Sequence, residues 1–390
     1  MRIAYIAPYQ GTGLIKRRPI VRNLSLAPNV KIGLIADLLR KSSHSVEILS
    51  PGEVVEHRFK FYPGFQETDR NIPIYYGSAF PVRFINGLAS SSSLLRIFKA
   101  RHRVEPFDVV LIYNLKPAQI TCADYAIRRL GLPIILEYED DAFSDVWGTN
   151  DSGVSSRYYL SRAKALLNCV SACAAISPYL LSQAPASVPK LLLRGVVSES
   201  IVKLSQTSNG ARKNWVVFSG THEETQGLEQ MIKAWRMLGM PDWELHVAGQ
   251  GPLTGLLRKL AEGDESIVFR GLIDRAENAR LLCTAKIGLN PQDLTRIAGN
   301  VFAFKIIEYL AAGLHVITTP RGALEQELEA GISYISDNSP ESIAAGLKTA
   351  IETRGYEQTA EEATLQSFGP SAVTASLNEL LDQVITASRK

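Results

Sequence analysis

The residues best suited to chemistry are Lys305 and Glu308, which stand three positions apart in the segment 300–313. In a helix this spacing lets both side chains reach the same point near the helix N-terminus. A Lys beside the free amides and the positive dipole end of a helix makes a phosphate site, and a carboxylate suits sugar hydroxyls, which donate hydrogen bonds. The segment therefore indicates a site for phosphate and sugar hydroxyl groups. A solvated Lys–Glu pair on an amphipathic helix is the competing interpretation.

The element that must position this pair is a helix followed by a strand. Phe304, Ile307 and Leu310 recur at helical spacing, and Gly313 stands where a left-handed residue would end the helix. Residues 316–318 are apolar or β-branched and precede a Pro/Gly turn, so they are predicted to form a short buried strand.

A second group of chemically useful side chains follows the apolar segment 133–137, which is predicted to be a strand. This group of side chains consists of Glu137, Glu139, Asp140 and Asp141. Ligands bind at strand carboxyl ends in parallel α/β sheets, so this placement favours a functional site. Carboxylates there could bind a divalent cation, and a solvated acidic loop is the structural alternative.

Composition limits the class of protein. An apolar fraction of 46% and a charged fraction of 21% are ordinary for a soluble globular protein, and 390 residues favour two or three domains. A net charge of +3 is too small to indicate a nucleic-acid partner. The four cysteines are scattered in apolar runs, which favours a reducing compartment over a disulfide framework.

Membrane signals are weak. The longest apolar stretch, 165–181, is interrupted by polar residues and by Pro178, and it is shorter than a spanning helix. Residues 94–103 alternate apolar and basic side chains at helical spacing, which is typical of a surface helix and also of a helix lying on an anionic membrane. No secretory signal is recognisable, so a cytoplasmic protein is expected.

The order of the predicted elements indicates an α/β protein with two similar halves. Strand, helix and strand patterns occupy residues 2–7, 29–40 and 45–50, and a new series begins with the strand 215–219. Such βαβ openings predict two doubly wound parallel sheets. Neither half carries an intact Gly-x-Gly-x-x-Gly fingerprint, which disfavours a nicotinamide dehydrogenase. We expect domains at 1–203 and 204–368 and a final helix at 369–390.

Residues 300–322 resemble the carboxy-terminal signature of the retaining GT-B glycosyltransferases of family 4. In that family a Glu–seven residues–Glu segment and its helix bind the nucleotide sugar. Glu308 matches the second Glu, which holds the ribose hydroxyls, and Lys305 matches a family variant with a Lys near the diphosphate. The first Glu, which touches the donor sugar, falls on Asn300. The resemblance spans nearly the whole chain and is strongest over 216–335.

The resemblance implies a larger set of site residues. A glycine-containing loop after the first strand lies against the donor diphosphate, and the turn near 266–273 lies beside the nucleobase. In place of the family's His-Asp pair, facing acceptor and donor sugar, the chain has Glu139-Asp140. The implied donor-binding residues are Gly13, Gly220, Thr221, Arg270, Leu272, Arg296, Phe304, Lys305 and Glu308, and the implied catalytic residues are Glu139, Asp140 and Asn300.

The chain departs from the family at the diphosphate clamp. The family's Arg and Lys fall on Thr221 and Gln226, which carry no charge. Charge-assisted hydrogen bonds are the strong ones, so their loss should weaken phosphate binding. Arg296 and Arg321 flank the signature and are the candidates to replace them.

The implied fold is GT-B, two Rossmann-like domains with the active site in the cleft between them and a C-terminal helix that returns to the first domain. The implied reaction moves a sugar, with retention, from a nucleotide-diphosphate sugar to a saccharide or lipid-linked acceptor, without a metal or other cofactor. The context would be cell-envelope polysaccharide or glycolipid synthesis in the cytoplasm, with peripheral contact at the inner face of the membrane through the N-terminal domain. Two alternatives remain open: a non-catalytic GT-B homologue acting as a partner or scaffold, and a nucleotide-sugar epimerase.

Overall fold

The computed structural model describes residues 1–18, 26–52, 54, 59–82, 86–143, 154–207, 212–295, 303–320, 326–353 and 358–388. The chain divides into two compact units. Unit 1 consists of Met1–Arg194 and Val373–Lys390, and unit 2 of Gly195–Ala372. The change between units falls before α7 (Glu199–Thr207), because Ile201 of this helix packs into the core of unit 2.

The strands are β1 (Arg2–Ile6), β2 (Ser45–Ser50), β3 (Phe65–Asp69), β4 (Ile72–Tyr76), β5 (Val109–Tyr113), β6 (Ile134–Tyr138), β7 (Ala172–Ala175), β8 (Lys190–Leu192), β9 (Trp215–Ser219), β10 (Glu244–Ala248), β11 (Ile267–Gly271), β12 (Ile287–Asn290), β13 (His315–Thr318) and β14 (Ile332–Tyr334). The helices besides α7 are α1 (Thr12–Arg17), α2 (Leu26–Lys41), α3 (Asn86–Val104), α4 (Pro117–Tyr125), α5 (Val154–Leu167), α6 (Pro178–Gln183), α8 (Leu228–Leu238), α9 (Thr254–Leu260), α10 (Arg275–Thr284), α11 (Lys305–Ala311), α12 (Gln326–Glu329), α13 (Pro340–Thr353), α14 (Gln358–Phe368) and α15 (Pro370–Ser388).

Unit 1 contains an eight-stranded sheet in the order β3-β4-β2-β1-β5-β6-β7-β8. All neighbouring strands are parallel except β3 and β4, which form an antiparallel pair at one edge. The central strands β1, β5 and β6 are buried throughout, as parallel strands covered on both faces must be. The strand order turns back between β1 and β5, so this unit has its switch point there.

Unit 2 contains a six-stranded, wholly parallel sheet in the order β11-β10-β9-β12-β13-β14. Its apolar side chains form two clusters, one with α8 and α13 and one with α7, α10, α11 and α14, so helices cover both faces. The switch point lies between β9 and β12, where ligands of open α/β sheets bind. The predicted pair of doubly wound α/β sheets is confirmed.

Helix α11 carries the predicted Lys–Glu pair in its first turn. It begins at Lys305, and its N-cap residue Phe304 makes no side-chain cap. Its end follows the prediction: Gly313 is left-handed at φ +74°, and the Leu314 amide donates to the Tyr309 carbonyl at 3.0 Å.

The sequence did not predict a hairpin in unit 1. The irregular sequence 53–105 contains the β3–β4 hairpin as well as α3. The amphipathic C-terminal segment forms α15, whose Leu377, Leu380 and Leu381 are buried within unit 1. In the part of the chain that the structure describes, no helix is both long and apolar enough to cross a membrane.

Candidate functional site

The backbones of three neighbouring strands of unit 2 approach closely at their carboxyl ends. The Gly220 amide donates to Ala248 O at 3.1 Å, and the Gly249 amide donates to Gly271 O at 2.7 Å. Gly249 has φ +120°, and a Cβ there would overlap the carbonyl oxygen of Gly220. Glycine is therefore required at 249. The backbone at Gly220, Gly249 and Gly271 forms a surface without side chains beside the switch point, and we call this surface the glycine floor.

The Lys305 side chain lies over this floor. Its Nζ donates to Gln226 Oε1 at 2.7 Å and lies 4.0 Å from the centroid of the Phe218 ring. A Cβ at Gly220 would lie 2.8 Å from the same Nζ, so the absence of a side chain at 220 makes room for the amine. Burial lowers the pKa of Lys305 to about 7, against the opposing influence of the Glu308 and Glu223 carboxylates.

Glu308 follows one turn later and is half-buried. Burial raises the pKa of its carboxyl to about 7, while Arg275 and Lys305 oppose the shift. Arg275, the first residue of α10, was not found from the sequence, because its spacing from residue 308 carries no signal. The Arg275 guanidinium thus acts on a site whose two other groups, Lys305 and Glu308, both have a pKa of about 7.

Tyr309 ties α11 to the strand that carries the glycine floor. Its hydroxyl accepts a hydrogen bond from the Ser219 amide at 2.8 Å, and the ring is fully buried. Gly288 permits this because a Cβ at 288 would overlap the Tyr309 ring. The neighbours Lys305 and Glu308 are therefore held in a defined position relative to β9.

The remaining predicted donor residues divide into two groups. Thr221 directly follows Gly220 and is half-buried, and Leu272 is 57% exposed at the end of β11. Arg270 instead lies against the sheet: its Nε donates to His246 Nδ1 at 2.9 Å, and its Cζ is 5.4 Å from the Trp215 ring centroid.

Phe304 packs its ring against Gly195 in the same unit, where a Cβ would overlap the ring. Arg296, Asn300 and Arg321 lie outside the described residues.

Gly13 belongs to unit 1, in α1. Its amide donates to Glu67 Oε2 at 2.8 Å, and a Cβ at 13 would overlap the Glu67 carboxyl. The other oxygen of that carboxyl accepts from the Tyr76 hydroxyl at 2.6 Å. A phosphate at Gly13 would therefore have to displace a carboxylate that already occupies the amide.

The acidic turn after β6 is held by Asn114, the residue that follows β5. The amides of Glu139 and Asp140 donate to Asn114 Oδ1 at 2.7 and 3.0 Å, and Asn114 Nδ2 donates to Asp140 Oδ2 at 2.9 Å. Asn114 is buried and left-handed at φ +60°, a conformation that Asn tolerates better than most residues. The turn is therefore a built feature rather than a loose acidic loop.

Lys31 of α2 reaches the same turn. Its Nζ contacts the Glu139 carboxylate, lies 3.5 Å from Glu137 Oε1 and donates to Leu193 O at 2.7 Å. Burial raises the pKa of Glu139 to about 7 and also raises that of Glu137, against the opposing ammonium of Lys31. The Lys31 ammonium thus interacts with both the Glu137 and the Glu139 carboxyl. The sequence signal for Lys31 was its position between apolar residues of the predicted helix 29–40.

No metal arrangement accompanies these carboxyls. Within the described ranges, no three His, Cys, Asp or Glu side chains are grouped so that they could hold a metal ion.

Comparison with known proteins identifies the segment that carries the Lys305 site. Residues 213–353 match the family model described as glycosyl transferases group 1. We call residues 213–353 the glycosyltransferase segment. The glycosyltransferase segment includes the glycine floor, Gln226, Lys305 and Glu308.

A curated relative points the same way. Over 111 residues the chain is 33% identical to the GDP-mannose-dependent alpha-(1-6)-phosphatidylinositol dimannoside mannosyltransferase of Mycobacterium tuberculosis. The match covers 28% of this chain and 28% of that relative.

Solved structures show that the fold is GT-B. Sucrose-phosphate synthase from Thermosynechococcus elongatus aligns with a TM-score of 0.71 at 15% identity, covering 99% of this chain and 100% of that one. HepE from Anabaena, solved in complex with UDP, aligns with a TM-score of 0.63 at 14% identity, covering 98% and 100%.

Proposed function

We propose that the glycosyltransferase segment binds a nucleoside-diphosphate sugar and that the chain transfers this sugar, with retention, to a saccharide or lipid-linked acceptor. The observation that carries the proposal is the pairing of Lys305 and Glu308 at the switch point of unit 2, inside the segment that matches the family. An ammonium suits the diphosphate, and a carboxylate suits the ribose hydroxyls.

In this reaction the chain's own residues act mainly by electrostatics. The Lys305 ammonium stabilises the negative charge that develops on the departing diphosphate, and the carboxyls at Glu139 and Asp140 of unit 1 orient the acceptor hydroxyl. Asn114 and Lys31 hold that acidic turn in place. No metal or other cofactor is part of the proposal.

GDP-mannose is the first donor to test, because the mycobacterial relative is named as dependent on it. Calorimetric titration of the purified chain with GDP, UDP and ADP and their sugar conjugates would name the base. Glu308→Ala should abolish binding of the nucleotide that the unaltered chain takes. Glu379→Ala, an exposed carboxyl of α15, is the matched control and should leave binding unchanged.

The uncharged Thr221 and Gln226 favour one competing function, a non-catalytic GT-B homologue that acts as a partner. If none of the nucleotides or nucleotide sugars binds to a correctly folded chain, the transferase proposal fails and the non-catalytic homologue takes its place.

We also propose that the reaction takes place in the cytoplasm and that α3 contacts the inner face of the membrane, as part of envelope polysaccharide or glycolipid synthesis. Its side chains Arg96, Lys99 and Arg103 are exposed. Cosedimentation with vesicles containing anionic lipid should be lost when these three become Gln, whereas no binding by the unaltered chain would refute the membrane contact.

A further inference from the structure

The contact between Lys305 and Gln226 joins two parts of unit 2 that are 79 residues apart in sequence. Lys305 begins α11, and Gln226 ends the single turn Glu224–Gln226 that follows β9. Among the described residues, Gln226 is the hydrogen-bond acceptor of the Lys305 amine. An ammonium has three donors, so two remain for another acceptor.

Gln226 is well placed to orient the amine because its own turn is locked. Gly227 is left-handed at φ +68°, and a Cβ there would overlap the carbonyl oxygen of Pro291. The Asp293 amide donates to Thr225 O at 3.0 Å. The turn therefore rests directly on the loop after β12.

The orientation of the Gln226 amide follows from its neighbours. Its Oε1 faces Lys305 Nζ at 2.7 Å and Gln292 Nε2 at 3.5 Å, and both of these groups are donors. The oxygen must therefore point at Lys305, and the Gln226 NH₂ group points away from it.

The amine has little freedom to move elsewhere. The Phe218 ring centroid lies 4.0 Å from Nζ, and a Cβ at Gly220 would lie 2.8 Å from the same atom. The two donors of Lys305 that Gln226 does not use therefore remain at the switch point, over the glycine floor.

We propose that Gln226 is a positioning residue that aims the Lys305 ammonium at the diphosphate of the donor. The positive charge at the diphosphate then comes from α11, because residue 226 itself carries no charge. The proposal rests on the proposed function, because it requires a nucleoside diphosphate in unit 2. It concerns the diphosphate alone and predicts no effect on the nucleoside.

The test compares nucleoside diphosphate with monophosphate, using GDP against GMP and UDP against UMP in calorimetric titrations. We expect the unaltered chain to prefer the diphosphate by about tenfold or more, since hydrogen bonds to charged groups are strong. Gln226→Leu should reduce this preference about tenfold while leaving the affinity for the monophosphate unchanged. Gln230→Leu, one turn further along, is the matched control and should retain the full preference.

A charge-relocation variant gives the second arm. Lys305→Gln should lose the preference for the diphosphate, and Gln226→Lys combined with Lys305→Gln should recover most of it, because the ammonium then comes from the other partner of the same hydrogen bond. Thermal unfolding of each variant shows whether it is folded, and the relocation pair decides the question if Gln226→Leu is not.

The outcomes separate the two proposals. A Gln226→Leu chain that is folded and keeps the full preference for the diphosphate overturns the role of Gln226, and so does a relocation pair that recovers nothing. If the unaltered chain binds none of GDP, UDP, ADP and their sugar conjugates, the proposed function itself has failed.

Discussion

The donor affinity should depend on pH through the amine of Lys305. Its pKa is lowered to about 7 by burial, so it is about half protonated at pH 7 in the free protein. A bound diphosphate favours the ammonium and raises this pKa. The affinity for the donor is therefore highest well below pH 7, where the amine is protonated, and it falls as pH rises through 7. The dissociation constant should increase about tenfold by pH 8 and about a hundredfold by pH 9, or about 1.4 kcal/mol per pH unit.

Calorimetry in buffers of different ionisation enthalpy measures this linkage directly, because the slope of binding enthalpy against buffer enthalpy counts the protons taken up. The count should rise from about three quarters at pH 7.5 to nearly one at pH 8.5. Measurements from pH 7.5 upward avoid the second ionisation of phosphate, near pH 6. His222 faces the amine but has a lowered pKa, so it is neutral in this range.

Two variants isolate the amine. Lys305→Arg keeps its charge at every accessible pH, so proton uptake should disappear. Glu308→Gln removes the neighbouring carboxyl of the same helix, which also titrates near pH 7. The fall in affinity should then move to lower pH, because the Glu308 carboxylate raises the pKa of Lys305. Proton uptake that is absent at pH 8, or that survives in Lys305→Arg, would refute this account.

Three stability predictions concern the backbone around the two sites, each measured by denaturant unfolding. Gly249→Ala should destabilise the chain by more than about 1 kcal/mol, because the new Cβ meets the Gly220 carbonyl at a positive φ, whereas Gly255→Ala, with open space in α9, should be neutral or stabilising. Tyr309→Phe should cost about 1–3 kcal/mol by leaving the β9 amide without its acceptor, and an unchanged midpoint would contradict that bond. Asn114→Gly should cost about 1–3 kcal/mol, because the hydrogen bonds of the Asn114 side chain are lost. Asn114→Ala should cost more, since only glycine tolerates φ +60° freely. The reverse order of the two variants would show that backbone strain is not involved.

Much of the fold follows from local patterns. The strands at 45–50 and 215–219 have the predicted bounds because apolar runs between turn residues need only local information. Gly313 ends its helix as predicted, since a left-handed C′ position selects glycine. The β3–β4 hairpin was missed because β3 is a half-exposed edge strand with a weak hydrophobic pattern.

The candidate site was predictable only in part, and the reason lies in sequence separation. Lys305 and Glu308 are one helical turn apart, so their pairing is visible in the sequence. Lys31 reaches Glu139 across 108 residues, and no spacing rule covers that distance.

The sequence by itself thus determined which residue types lie at the carboxyl ends of the strands: glycines and a Lys–Glu pair in unit 2, and carboxyls in unit 1. The tertiary structure alone decided their partners, placing Gln226 against Lys305 and Asn114 beneath the acidic turn. The physical reason is that strand and helix formation depend on neighbours within a few residues. The burial and charge that set a pKa near 7 depend on side chains brought together by the sheet.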